Sequence, residues 1–183
     1  MKNELLHICI GRPKLNSANG VMSFIKSFAL SLANSKLNNN ILYYKKRKWF
    51  YNDREVSLIM LPSILNNKTL IFHGLYYSLF IFLYLLIIFN RNSVSKRVFI
   101  YAHGSFGKIS LKKSRLKKLT VIFIYKFLNK IKSFNLIALN ENEKDDISIF
   151  FDVKNISVLY PISKNSCAIQ KKLKKRSHLR LVY

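Results

Sequence analysis

Short apolar runs, several of them ended by a glycine, a proline or a histidine–glycine pair, recur along this chain, and segments of helical period separate them. That alternation constrains the fold more than any other feature. A run with no polar alternate has to be covered on both sides, which marks a strand of a parallel sheet. Residues 5–10 (LLHICI) stop at Gly11, and the pattern returns at 41–44, 56–61 (VSLIML, before Pro62), 69–73, 98–102 (VFIYA), 134–139 and 156–160 (ISVLY, before Pro161). Residues 21–36, 75–89, 114–131 and 141–151 read as helices. In the first of these Val21, Phe24, Ile25, Phe28, Ala29, Leu32 and Ala33 recur at helical steps, with Asn19 as a cap. Strand and helix in alternation require parallel pairing through right-handed crossovers. The expected fold class is α/β: a doubly wound, mostly parallel, Rossmann-like sheet of about six or seven strands across residues 4–160, with helices on both faces.

Residues 69–90 carry no formal charge and are flanked by Lys68, Arg91, Lys96 and Arg97. By length and apolarity this stretch competes as a membrane span. His73-Gly74 interrupts it near its start, so a strand at 69–73 and a helix at 75–89 is the preferred reading and a single span at 69–90 the alternative. The opening MKNELLHICI lacks the basic start, long apolar run and small-residue cleavage site of a secretory signal.

Half of the 183 residues are hydrophobic, which is enough for a core and excludes a disordered chain. Against 32 Lys and Arg stand 8 acids, for a formal charge of +24. Nothing acidic lies between Val56 and Asn140 or beyond Lys164. Such a surface attracts polyanions: phospholipid headgroups, nucleic acid or phosphorylated substrates. Part of the charge is compositional background, because Lys, Asn, Ile, Phe and Tyr are enriched together. A nucleic-acid-binding protein is an alternative reading, but no zinc-finger, helix-turn-helix or RNA-binding signature supports it, and no nucleic acid is expected as a partner. Cys9 and Cys167 are far apart, without a CxxC pair or a Cys/His cluster. That argues against a disulfide scaffold or structural zinc and for a reducing, cytosolic compartment.

In an open α/β sheet, ligands bind outside the carboxyl ends of the strands. After the first strand come Gly11 and then Asn19-Gly20 at a helix start, where free backbone N–H groups suit a phosphate or sugar oxygen. This is no GxGxxG fingerprint, so no dinucleotide is implied. His73-Gly74 follows the fourth strand and His103-Gly104-Ser105-Phe106-Gly107 the fifth. Each histidine can bond a substrate hydroxyl or phosphate while the glycine lets substrate approach the backbone. Ser105 lacks the GxSxG context of a nucleophile. Glu141, Glu143, Asp145 and Asp146 read as charges favoured by a helix start. Residues 45–51 (KKRKWFY) mix cations and aromatics as a membrane-interface or nucleic-acid patch would. No metal and no cofactor is expected.

The segments LLHICIG, NGVMSFIKSFALSLANS, LIFHGLYYSLFIFLYLLI, RVFIYAHGSFGK, LIALNENEKDDI and ISVLYPI fall in an order that resembles the amino-terminal domain of GT-B glycosyltransferases of the large group 1, family-four type. The resemblance runs over residues 4–162. It implies an acceptor-side Rossmann-like domain at 1–162, and a basic linker with the start of a second domain at 163–183. It brings Asn19 and Gly20 to the loop that approaches donor diphosphate and acceptor, with Asn in place of the usual first glycine. It implies a catalytic role for His103, facing the transferred sugar and acceptor. Gly104 matches the adjacent glycine. With His73, Gly74 and Ser105, these residues make up the expected substrate-binding set. Glu143 and Lys144 match a Glu-Lys pair that opens the next helix, and Pro161-Ile162 replaces a Pro-Asn-Gly turn. The implied reaction is retaining transfer of a sugar from a nucleotide donor to a polyprenyl-linked or glycan acceptor in cell-surface polysaccharide synthesis. The implied location is cytoplasmic, at the inner face of the plasma membrane and against its anionic surface. The donor is held in that family mainly by a second Rossmann domain with an E-x7-E pair. These residues contain no such pair, so the chain alone is expected to be inactive.

Overall fold

The computed structural model describes residues 4–14, 20–31, 38–66, 68–89, 97–112 and 114–160. The apolar runs become strands of one sheet: β1 (Glu4–Ile10), β2 (Asn38–Lys45), β3 (Lys48–Tyr51), β4 (Arg54–Val56), β5 (Thr69–His73), β6 (Val98–Tyr101), β7 (Asn135–Ala138) and β8 (Ile156–Val158). The eight strands lie in the order β4-β3-β2-β1-β5-β6-β7-β8. All pairings from β2 through β8 are parallel, and β3 and β4 are added to the β2 edge antiparallel. The fold is α/β, Rossmann-like and doubly wound.

Two departures from the sequence reading sit on that edge. The basic-aromatic segment after β2 is a hairpin, so the sheet gains an antiparallel margin. Lys46 and Arg47 turn it with φ of 50° and 63°, and Asn52 and Asp53 make the next turn with 48° and 68°. Two consecutive left-handed residues match the right-handed twist of hairpin strands. Trp49 of β3 is thereby buried against Tyr44, ring centroids 5.1 Å apart, instead of lying on a surface patch. The strand expected at 56–61 does not form. β4 ends at Val56, a single 3-10 turn covers Leu58–Met60, and the short helix α2 (Leu61–Leu65) follows. Pro62 sits inside the first turn of α2, where its missing N–H costs nothing.

Helices α1 (Gly20–Ser31), α3 (Ser78–Phe89), α4 (Lys108–Lys112), α5 (Arg115–Ile131) and α6 (Glu141–Ser148), with a second 3-10 turn at Val153–Asn155, complete the chain's regular structure among the described residues. The candidate span resolves into β5, a turn at Gly74 and the 12-residue α3. Phe80, Leu83, Tyr84 and Ile87 of α3 are buried against the sheet. No helix among the described residues is long and apolar enough to cross a membrane.

Strand side chains alternate between faces. Leu6 and Ile8 of β1, Leu70 and Phe72 of β5, and Val98 and Ile100 of β6 enter one core with α2, α3, α5 and α6. Cys9, Ile71 and Tyr101 point to the other face, under Phe24, Ile25 and Phe28 of α1. Because α1 and the later helices take opposite faces, the crossover direction reverses between β1 and β5. That switch point is where such sheets open a crevice for ligands.

Candidate functional site: a chain of three histidines

The α1 face of the three central strands carries a histidine on or after each strand. His7 is mid-strand in β1, His73 is the last residue of β5, and His103 follows β6 by two residues. Parallel register sets the first two diagonally across the β1–β5 ladder, where His7 pairs with Ile71. His7 Nδ1 lies 3.0 Å from His73 Nε2, and His73 Nδ1 lies 3.1 Å from His103 Nε2. The rings are stacked as well as bonded. His73 is nearly parallel to Tyr101 at 5.3 Å, and Phe24 and Phe28 of α1 meet His103 and His7 edge-on.

Burial decides the charge of this chain. His7 is lowered to about 4 by loss of water, against a hydrogen-bond contribution from the Asn39 side chain. His103 is also lowered to about 4 by burial. His73, enclosed between the two, is held well below its ordinary value by burial and by the neighbouring rings. All three are neutral at pH 7, so each ring offers one donor and one acceptor.

His103 has φ of 49°, a left-handed conformation that costs a residue with a Cβ roughly 1–2 kcal/mol. Glu143 at the start of α6 holds it there. One carboxylate oxygen accepts from the Gly104 N–H, and the other accepts from the Leu139 N–H at 2.7 Å. Asn140 caps α6 by accepting from the Glu143 N–H at 2.8 Å, which fixes the first turn that carries the carboxylate. The buried Glu143 is therefore more than one of several helix-start charges. It pins the histidine loop to the next strand-to-helix connection.

The outer end of the chain opens into a cavity of about 280 Å³ lined by Ile10, Met22, His73, Gly74, His103 and Ser105, among others. Gly74, at φ 113°, donates its N–H to the Tyr101 carbonyl. The Ser105 carbonyl accepts from the Tyr76 hydroxyl at 3.2 Å, and Lys118 lies 5.0 Å from the centre of the Tyr76 ring. A larger hollow of about 440 Å³ lies between α1 and the hairpin edge, but Asp53 there is already bonded to Arg12 and Tyr43. The histidine cavity is the better candidate because it lies at carboxyl ends of strands, where the titratable groups converge.

Of the residues singled out from sequence, His73, Gly74, His103 and Ser105 line one cavity. Gly104 does not line it but anchors the loop through Glu143. Gly20 is exposed as the first residue of α1, next to the lining residues Val21 and Met22. Asn19 falls outside the described residues, as do Pro161, Ile162 and the whole of 163–183. Sequence reasoning missed His7, although it is the one polar side chain in LLHICI, a run otherwise destined for burial. Among the described residues no group of three or more His, Cys, Asp or Glu is arranged to hold a metal ion. No protein-family model, curated protein or solved structure matches this chain.

Proposed function

We propose that this chain is the acceptor-side part of a glycosyltransferase, acting with a donor-binding domain that holds the nucleotide sugar. Its acceptor is a lipid-linked or polysaccharide glycan at the inner face of the plasma membrane. The observation that carries this reading is the cavity at the carboxyl ends of β1, β5 and β6, with His103 at its wall in a left-handed turn held by Glu143. A neutral imidazole, backbone next to Gly74, and a small cavity suit a sugar hydroxyl approaching closely. The order of segments that resembles group 1 glycosyltransferases adds to this reading.

The membrane side of the proposal is supported by α5. Leu116, Phe123, Phe127 and Ile131 are exposed, and at about 100° per residue they fall on one stripe opposite the buried Ile122, Tyr125 and Leu128. Lys126 and Lys130 flank the stripe on one side and Lys117 on the other. An apolar stripe between lysines suits a surface of anionic lipid. The test of the function is transfer of a radiolabelled sugar to a polyprenyl-linked acceptor by this chain joined to a group 1 donor domain. Transfer that depends on His103 supports the proposal, and its absence counts against it.

A further inference from the structure

We propose that the exposed turn Leu58-Ile59-Met60 and the basic tip of the β2–β3 hairpin together anchor the chain to an anionic bilayer, at the edge of the sheet where the histidine cavity opens. The inference deepens the membrane side of the reading above and rests on it for the lipid-linked acceptor. It adds a second contact, separate from the α5 stripe, and says which end of the sheet meets the lipid.

Strand register brings the two segments together. Trp49 of β3 pairs with Val56 of antiparallel β4, so the start of β3 and the end of β4 lie side by side. Lys45 pairs with Lys48 across the Lys46-Arg47 turn at that same end. Because β2 is parallel to β1, the basic tip and the turn after β4 both stand at the carboxyl ends of the parallel strands. The cavity lies at the same ends, with Ile10 of β1 in its wall. Three strand steps separate β4 from β1, roughly 14 Å along the sheet at the usual spacing.

The turn at 58–60 contributes no buried side chain to the core. Leu58, Ile59 and Met60 are 61%, 89% and 54% exposed, and the Met60 N–H closes the turn on the Ser57 carbonyl at 3.1 Å. Leu61 and Leu65 of the following α2 are fully buried, so the base of the turn is fixed while its apolar side chains stand in water. Three consecutive large apolar residues in water are a liability unless something covers them. The neighbouring charges say what does. Lys45, Lys46, Arg47 and Lys48 are all exposed. Of these four, only Lys48 has a carboxylate partner among the described residues, Glu55 at 2.9 Å. Asp53 sits in the turn at the opposite end of β3 and is held by Arg12 and Tyr43. An apolar turn beside uncompensated cations fits a bilayer with anionic headgroups: the side chains enter the acyl boundary and the cations meet phosphates. A nucleic acid would use the cations and leave the apolar turn in water. Trp49, the aromatic residue next to the cations in sequence, is buried, and Leu58-Ile59-Met60 stands in its place.

The test uses the full chain with vesicles of phosphatidylcholine alone or mixed with phosphatidylglycerol, the mixed ones also made with brominated acyl chains that quench indole fluorescence. In Ile59→Trp the added indole reports on the turn, and the unaltered chain, whose one tryptophan is the buried Trp49, sets the baseline. The expected result is quenching of Ile59→Trp by brominated anionic vesicles and none in the unaltered chain. In sedimentation, Ile59→Ser should weaken binding to anionic vesicles roughly tenfold or more, the loss of one isoleucine from the acyl boundary. Lys46→Asn/Arg47→Asn, in which Asn tolerates the left-handed turn, should weaken it roughly thirtyfold and flatten its dependence on salt. All three positions are exposed, so these variants are expected to fold with the urea midpoint of the unaltered chain. No quenching of Ile59→Trp on vesicles that the chain binds overturns the proposal. So does undiminished binding by Ile59→Ser, or a chain that does not bind anionic vesicles at all. None of these readings requires a donor domain or turnover, so failure of the transfer assay and failure of this inference are separate outcomes.

Discussion

Glu143 reaches across 39 positions of sequence to hold Gly104, and that one carboxylate ties the histidine loop to β7 and α6. Glu143→Gln keeps the shape but offers one acceptor where two backbone N–H groups need one each. The variant is expected to lose roughly 1–3 kcal/mol of stability, read as a lower urea midpoint. An unchanged midpoint would mean that the carboxylate does not hold the loop. The histidines make a second prediction, with a defined sign. Their folded-state values lie below 6.5, so at intermediate pH the unfolded chain binds protons that the folded chain refuses. Stability is fully present above about pH 6.5 and is lost as pH falls towards 4. For His7 and His103 the lowering to about 4 corresponds to roughly 3 kcal/mol each. Urea midpoints measured from pH 8 to pH 4 should be flat and then fall below pH 6.5. A flat profile down to pH 4.5 would contradict neutral, buried rings. Sequence showed His73 and His103 because each stands beside a glycine at a strand end. It did not show His7, because a residue inside a strand reveals its neighbours only through register. The role of Glu143 was hidden for a related reason, since Glu141, Glu143, Asp145 and Asp146 at one helix start look alike until one is buried.

Hairpin and helix differ in how much of them could be read in advance. β1, β5 and β6 were legible because apolar runs closed by turns leave little choice, and α1, α3 and α5 because helical period or length set them apart. β2 was read at 41–44, but the β3–β4 hairpin beyond it was not, since its turns use Lys-Arg and Asn-Asp with no glycine to announce left-handed φ. The run at 56–61 misled because apolarity alone does not distinguish a strand from a short helix, and Leu58, Ile59 and Met60 prove exposed. α5 carries a prediction of its own. Its outer stripe of Leu116, Phe123, Phe127 and Ile131 lies between lysines, each basic contact near an anionic surface contributing about 1 kcal/mol. In vesicle sedimentation the chain should bind anionic lipid, release as salt rises, and bind less well as Phe123→Ser/Phe127→Ser. Equal binding to neutral vesicles would reject the electrostatic account, and an unaffected double variant would move the contact to another element.

At the scale of the whole molecule, a parallel sheet with an antiparallel margin gathers three histidines at its switch point and leaves a lysine-flanked apolar helix on the opposite face. In retaining transfer the departing diphosphate has to be stabilised as charge develops on it, normally a large share of the rate enhancement. Among the described residues the lining of the cavity at His103 has no lysine, arginine or carboxylate, which fits the proposed acceptor and sugar better than the diphosphate. The account therefore assigns the donor to a second domain and the acceptor to this one. The most direct measurement is radiolabelled sugar transfer to a polyprenyl-linked acceptor, by residues 1–183 alone, by the chain joined to a group 1 donor domain, and by the joined form carrying His103→Ala. The account predicts no turnover by the chain alone, turnover in the joined form, and a loss of roughly 10²-fold or more on removing the imidazole. Robust transfer by residues 1–183 alone, or an unaffected His103→Ala in the joined form, would contradict it.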